Sequence, residues 1–185
     1  MIKKKILRAI YPSLVGVLLG LLQTGLFFQL SFTLSSSYST FLMVTLCWLI
    51  GSAIGVRVAK KLPFYPALLP IFSLLAYFGC AFLVSVAPFN TQIWFVYAFL
   101  VILTGIYPGV FFVRMGEIYS ARVLFFRENN GFILGLISGT ILFMLMGRGV
   151  LWIAPVSLAV IILLIREPVN PATPVLFVPG QPQPD

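Results

Sequence analysis

The chain has 185 residues, of which 61% are hydrophobic and 9% are charged, and its mean hydropathy is +1.09. A soluble globular domain carries about 25% charged residues, so this composition excludes that class and predicts a protein embedded in a bilayer. The net charge of +8 does not indicate nucleic-acid binding, because membrane topology explains where the bases fall.

The chain contains no histidine and only four acidic residues. Histidine-ligated haem, zinc sites and histidine-based catalytic triads need imidazole or clustered ligands, so these sites are excluded within the chain. We therefore expect no catalytic residues, no metal site and no cofactor that the chain holds by itself.

A membrane-spanning helix needs about 20 apolar residues, and six stretches meet or approach that length. They are residues 11–34, 41–58, 65–87, 93–113, 131–147 and 150–165. Most connections between them are short, so neighbouring helices should be antiparallel. The predicted fold is all-α and polytopic, with six transmembrane helices in residues 1–166 and a Pro-rich cytoplasmic tail in residues 167–185.

The basic residues predict the orientation of these spans, because Lys and Arg are retained on the cytoplasmic side during insertion. Six spans place every base except Arg148 on one side. These bases are Lys3, Lys4, Lys5, Arg8, Arg57, Lys60, Lys61, Arg114, Arg122, Arg127 and Arg166. The sequence therefore predicts a multi-pass protein of the bacterial cytoplasmic (inner) membrane with both termini cytoplasmic.

Glycines recur at four-residue intervals in three of the spans. The series are Gly16 and Gly20; Gly51 and Gly55; and Gly131, Gly135 and Gly139. This spacing places the glycines of a series on one helix face, where a second backbone can approach closely. We predict that these seven residues form helix-packing interfaces.

The longest predicted connection, residues 114–130, is polar at both ends. Tyr119, Val123 and Phe126 recur in it at helical spacing, which predicts a short interfacial helix between the fourth and fifth spans. Its polar junction consists of Arg114, Glu117, Arg122, Arg127, Glu128, Asn129 and Asn130. We expect the two acids to lie at the membrane surface and pair with the arginines, and a proton or cation site is the alternative.

The first span contains two strongly polar residues, Gln23 and Gln29. The simpler interpretation is that their amides form hydrogen bonds with a neighbouring helix. The alternative is that they line a substrate path. Sequence alone leaves both open, with the simpler one preferred.

Three stretches resemble the six-helix membrane domain of bacterial spermidine synthase-like proteins. LIGSAIGVRVAKKLPFYPAL is similar to its second span, YAFLVILTGIYPGVFFVRM to its fourth, and ARVLFFRENNGFILGLISGTILFMLMGRGVLWIAP to its junction and fifth span. The resemblance implies a unit similar to half of a major-facilitator transporter. Phe125 and Glu128 depart from the family pattern, which has Tyr and then Asn or Asp there. Full-length relatives continue into an aminopropyltransferase domain that the residues after Arg166 do not supply, so we do not expect that enzymatic activity.

The sequence favours a non-catalytic integral membrane subunit that packs against other integral membrane proteins, as an accessory or structural subunit of an energy-converting complex. The predicted docking residues in the tail are Val175, Leu176, Phe177 and Val178. The alternative function is a small membrane transporter assembled from two half-units, and an enzyme ranks last. The chain holds no cofactor of its own in this prediction, but bound lipid remains an open alternative. So does a pigment or quinone that a partner ligates and that Trp48, Trp94 or Trp152 flanks, although such tryptophans more often anchor span ends.

Overall fold

The computed structural model describes residues 2–34, 38–61 and 68–165, with side chains from Ile10 onward. These residues form helices and short connections and contain no strand. The helices are α1 (Ile2–Thr33), α2 (Tyr38–Val58), α3 (Leu68–Val86), α4 (Trp94–Met115), α5 (Ala121–Met146) and α6 (Val150–Ile165). Two 3-10 turns, Thr91–Ile93 and Gly147–Gly149, precede α4 and α6. The predicted tail and its docking residues lie outside the described residues.

By length and composition, five helical stretches in the described part of the chain are apolar enough to cross a membrane. The fifth, Ala121–Ile165, contains α5, the second 3-10 turn and α6. The architecture therefore fits a multi-pass membrane protein, as the composition predicts.

Helix α1 lies at the centre of the bundle and packs against α5, α6, α2 and α3. Its leucines recur at helical spacing, and Leu18, Leu22, Leu26 and Leu30 are completely buried. A helix that buries apolar residues at this spacing is covered along its length by its neighbours. The second large contact joins α2 to α4, which also packs against α3.

The close approaches fix the relative directions of two helix pairs. Along α1 and α5, Ser13 faces Gly131 and Val17 faces Gly135, so residue numbers rise together and the helices are parallel. Along α2 and α4, Trp48 faces Gly105 and Ser52 faces Gly109, which makes this pair parallel as well.

The start of α5 differs from the sequence prediction. Residues 121–130 do not form a separate interfacial helix, because they are the first turns of α5, which continues unbroken to Met146. The sequence ARVLFFRENN contains no proline or glycine, so nothing in it stops a helix. Hydropathy placed the boundary at Gly131, whereas the buried stripe of α5 already begins at Leu124.

Candidate functional site

Eight described glycines define two contacts in which helix backbones touch, and both contacts lie within the chain. A Cβ atom built on Gly16 would lie under 3.0 Å from the Glu128 carbonyl oxygen, and one built on Gly135 would do the same with Val17. Since backbone cannot rotate away as a side chain can, the two helices can pack this closely only if these positions stay glycine. We call the α1–α5 contact the first glycine seam.

The second glycine seam joins α2 to α4. Gly51 and Gly55 of α2 face the α4 backbone. Two further glycines on α4, Gly105 and Gly109, face the α2 backbone. The hydroxyl of Ser52 also donates to the Gly105 carbonyl across the seam, at 3.1 Å. Gly105 and Gly109 are not among the predicted interface residues, although their four-residue spacing in TGIYPG is the same signal as in the other series.

The glycine faces of α1, α2 and α5 are therefore covered by this chain's own helices. Six of the seven predicted glycines meet backbone, whereas a Cβ on Gly139 would meet the side chains of Leu21 and Thr24. These faces do not by themselves require an external partner.

Helix α3 is attached by side-chain hydrogen bonds to two carbonyl groups that prolines have freed. Proline has no N–H, so Pro108 leaves the Thr104 carbonyl without its helical donor, and Pro155 does the same to Leu151. The Ser73 hydroxyl donates to Thr104 O at 3.0 Å, and the Tyr77 hydroxyl donates to Leu151 O at 2.8 Å. Both donors are completely buried and lie one turn apart on α3.

Tyr77 also binds α1. Its hydroxyl oxygen accepts a hydrogen bond from Gln29 Nε2 at 2.8 Å, and Gly25, one turn earlier, leaves room for the phenol ring. A single side chain thus ties α3 to α1 and α6. For Gln29, the interpretation as an inter-helix hydrogen bond is confirmed. Gln23 is half-buried, and no described side chain bonds to its amide.

The polar junction divides into an exposed part and a buried residue. Glu117, Arg122, Asn129 and Asn130 are exposed, and Arg114 and Arg127 are half-buried. Glu128 is only 6% exposed, so unlike Glu117 it is buried among the helices. It belongs to the buried stripe of α5 that continues into Gly131. Because α5 is one continuous helix here, position 128 is fixed to the inner face.

A small cleft of about 50 Å³ lies at the other end of the bundle, where α1, α3 and α5 end and α6 begins. Gln29, Thr33, Arg148 and Trp152 contribute to its lining. Gly147 has φ +72°, a conformation that favours glycine, and it forms the turn that carries Arg148.

The three tryptophans have different environments. Trp48 is buried in the second glycine seam, where it contacts Gly105, so it is not available to flank a cofactor on the outer surface. Trp94 is half-buried at the start of α4, and Trp152 is exposed beside the cleft.

No known protein family, characterised protein or solved structure matches this chain. The resemblance to the membrane domain of spermidine synthase-like proteins therefore stays a prediction.

Proposed function

We propose that the chain is a non-catalytic integral membrane subunit that packs against other membrane proteins through its outer surface. The observation that carries this proposal is the contrast between its filled interior and its apolar exterior. In the interior, helix backbones are in contact at both glycine seams, and the leucines of α1 are completely buried. Because the described interior is filled in this way, we expect the protein to act through its surface.

The outer face of α5 is the best candidate for that surface. Opposite its glycines, this helix exposes a ridge of large apolar side chains at helical spacing. We call these four the outer ridge: Leu134, Ile137, Ile141 and Leu145. Large apolar patches of this kind mark sites where protein or lipid packs.

Photo-crosslinking in native membranes tests the proposal. A benzoylphenylalanine residue is placed at Ile141 on the outer ridge, and at the similarly exposed Phe82 of α3 as a matched control. We expect a discrete protein adduct of higher mass from position 141, with co-purification of the same partner in mild detergent. Lipid adducts alone at both positions, with a monodisperse monomer or homodimer after extraction, would contradict the proposal.

We also propose six spans, with the basic end of the bundle in the bacterial cytoplasm. Parallel α1–α5 and α2–α4 pairs are what strict alternation of six spans requires. The sixth crossing is supported by α6, which begins beside Gln29 near the end of α1 and still buries Ala159 and Ile162. Helix α1 ends at Thr33, so there is no bundle beyond that point to cover α6. Because α6 is still buried at Ala159 and Ile162, it has to run back along the bundle.

Cysteine labelling from either side of the membrane tests the topology. In a variant without Cys47 and Cys80, Ser120→Cys should react only with reagent supplied from the cytoplasm. Arg148→Cys should react only from the opposite side. Labelling of both positions from the same side would exclude the sixth span.

A transporter assembled from two copies is the second candidate, and Gln23 is the observation that favours it. This half-buried amide lies near the middle of the central helix, and no described side chain bonds to it. Uptake by reconstituted liposomes that is lost in Gln23→Leu, and kept in the exposed control Gln92→Leu, would support this function over the first. Equal uptake by both variants and by empty liposomes would exclude it.

A further inference from the structure

The cleft at Arg148 is small and mostly apolar, and its polar lining residues are Gln29, Thr33 and Arg148. Its volume of about 50 Å³ exceeds the roughly 30 Å³ that one water molecule occupies in the liquid. It is far below the roughly 300 Å³ at which pockets for whole small molecules begin. The cleft therefore has room for one compact polar group of a ligand whose remaining atoms lie outside.

Among the described residues, this end of the bundle carries a positive charge and no acidic residue. Arg148 is exposed, and no described acidic residue lies near it. The two described acids are Glu117, before α5, and Glu128. At 1.5 Å per residue, Glu128 lies roughly 27 Å along α5 from the turn that carries Arg148. A guanidinium group with no carboxylate partner is complementary to a phosphate group.

The surface around the cleft is aromatic. The rings of Phe28 and Phe143 stack with centroids 4.5 Å apart, and Phe32 lies 5.5 Å from Phe143. Phe32 is 54% exposed and Trp152 is 48% exposed, so both present ring surface to the outside. Trp152 is further supported from α3 by Phe78, at 5.4 Å between ring centroids.

We propose that this cleft binds a membrane phospholipid, whose phosphate is held by Arg148 and whose acyl chains lie on the rings of Phe32 and Trp152. One cation beside an apolar aromatic surface matches the two ends of such an amphiphile. The lipid joins the ends of α1, α5 and α6 at the end of the bundle opposite the other bases whose side chains the structure describes.

Tryptophan fluorescence in detergent micelles tests this site directly. The purified, delipidated protein is titrated with phosphatidylglycerol that carries brominated acyl chains, which quench nearby tryptophans. We expect a saturable quenching component that is absent from Trp152→Phe, because Trp152 lines the cleft and Trp48 and Trp94 do not. In Arg148→Gln, half-quenching should need about tenfold more lipid, as expected for the loss of one charge-assisted contact.

The controls separate the headgroup from the acyl chains. Arg122→Gln removes an exposed arginine from the other end of α5 and should leave the titration unchanged. Arg148→Lys keeps the charge and should shift the titration less than Arg148→Gln. Brominated diacylglycerol, which lacks phosphate, should give no saturable component.

Three results would overturn the proposal. The first is equal titrations for the wild type and Arg148→Gln. The second is saturable quenching that persists in Trp152→Phe. The third is competition by inorganic phosphate at the concentration of the lipid, which would assign the site to free phosphate.

Discussion

Helix α1 meets α5 through its main chain, whereas α3 meets its neighbours through side-chain hydroxyl groups. At the first glycine seam the stabilising contact is van der Waals packing between bare backbones, which apolar lipid cannot reproduce as well. At α3 the contact is a pair of hydrogen bonds to carbonyls that prolines have freed. The backbone contact depends on the absence of a Cβ atom at the glycines. The α3 contacts depend on the presence of the Ser73 and Tyr77 hydroxyl groups.

This difference predicts opposite sensitivities. The seam should fail when any atom is added, because the backbone it would meet cannot rotate aside. The α3 contacts should fail when a hydroxyl is removed, because an unpaired carbonyl in an apolar environment is costly.

The largest effect is expected for Gly135→Ala. Its Cβ would lie under 3.0 Å from the Val17 carbonyl oxygen, so α1 and α5 must separate, and we expect a loss of about 2–3 kcal/mol in the free energy of unfolding. Unfolding in mixtures of dodecyl sulfate and dodecyl maltoside, followed by circular dichroism, measures this value.

The matched control for that substitution is Gly79→Ala. A Cβ there would lie 3.7 Å from Leu100 Cδ2, which is ordinary contact, and alanine favours a helix by up to about 1 kcal/mol over glycine. We expect this variant to be as stable as the wild type or more so. Equal losses in Gly79→Ala and Gly135→Ala would show that close backbone contact is not what holds the seam.

A smaller effect is expected for Tyr77→Phe, about 1–2 kcal/mol in the same measurement, because it leaves Leu151 O and the Gln29 amide unpaired. The ring stays, so packing is conserved and the change reports on hydrogen bonding. A variant as stable as the wild type would mean that the freed carbonyl finds another donor.

The smallest effect is expected for Ser73→Ala. One hydrogen bond to Thr104 O is lost, and single inter-helix hydrogen bonds in membrane proteins contribute about 0.5–1 kcal/mol. Ser85→Ala is the control, because that hydroxyl is exposed and bonds only within α3, to Phe82 O. If Ser85→Ala were the more destabilising of the two, the account of α3 would be wrong.

Sequence spacing predicts the glycine faces well and their partners poorly. The interval between Gly131 and Gly135 identifies a face for close packing, yet nothing local shows whether that face meets another protein or α1 of the same chain. Which surface covers the face depends on long-range packing. In the structure, α1 of the same chain covers it.

The proline contacts were predictable only in part. Pro108 and Pro155 are visible in the sequence, and each must free the carbonyl four residues earlier. The donors, Ser73 and Tyr77, lie on a helix whose position no local pattern specifies. Their four-residue spacing is the one available signal.

Hydropathy and helix continuity gave conflicting boundaries at the polar junction. Hydropathy separates the residues before Gly131 from the following span, whereas the absence of a helix breaker lets α5 run through them. The same continuity explains why Glu128 is buried, since a carboxyl group is unfavourable inside and hydropathy alone would place it outside.

A double-mutant cycle at Tyr77 and Pro155 tests most directly the claim that α3 is held by carbonyls that proline frees. In Pro155→Ala, the restored N–H can bond to Leu151 O, so Tyr77→Phe should cost less there than in the wild type. We predict a coupling free energy of about 1 kcal/mol between the two sites. A coupling free energy of zero, with Tyr77→Phe equally costly in both backgrounds, would contradict the account.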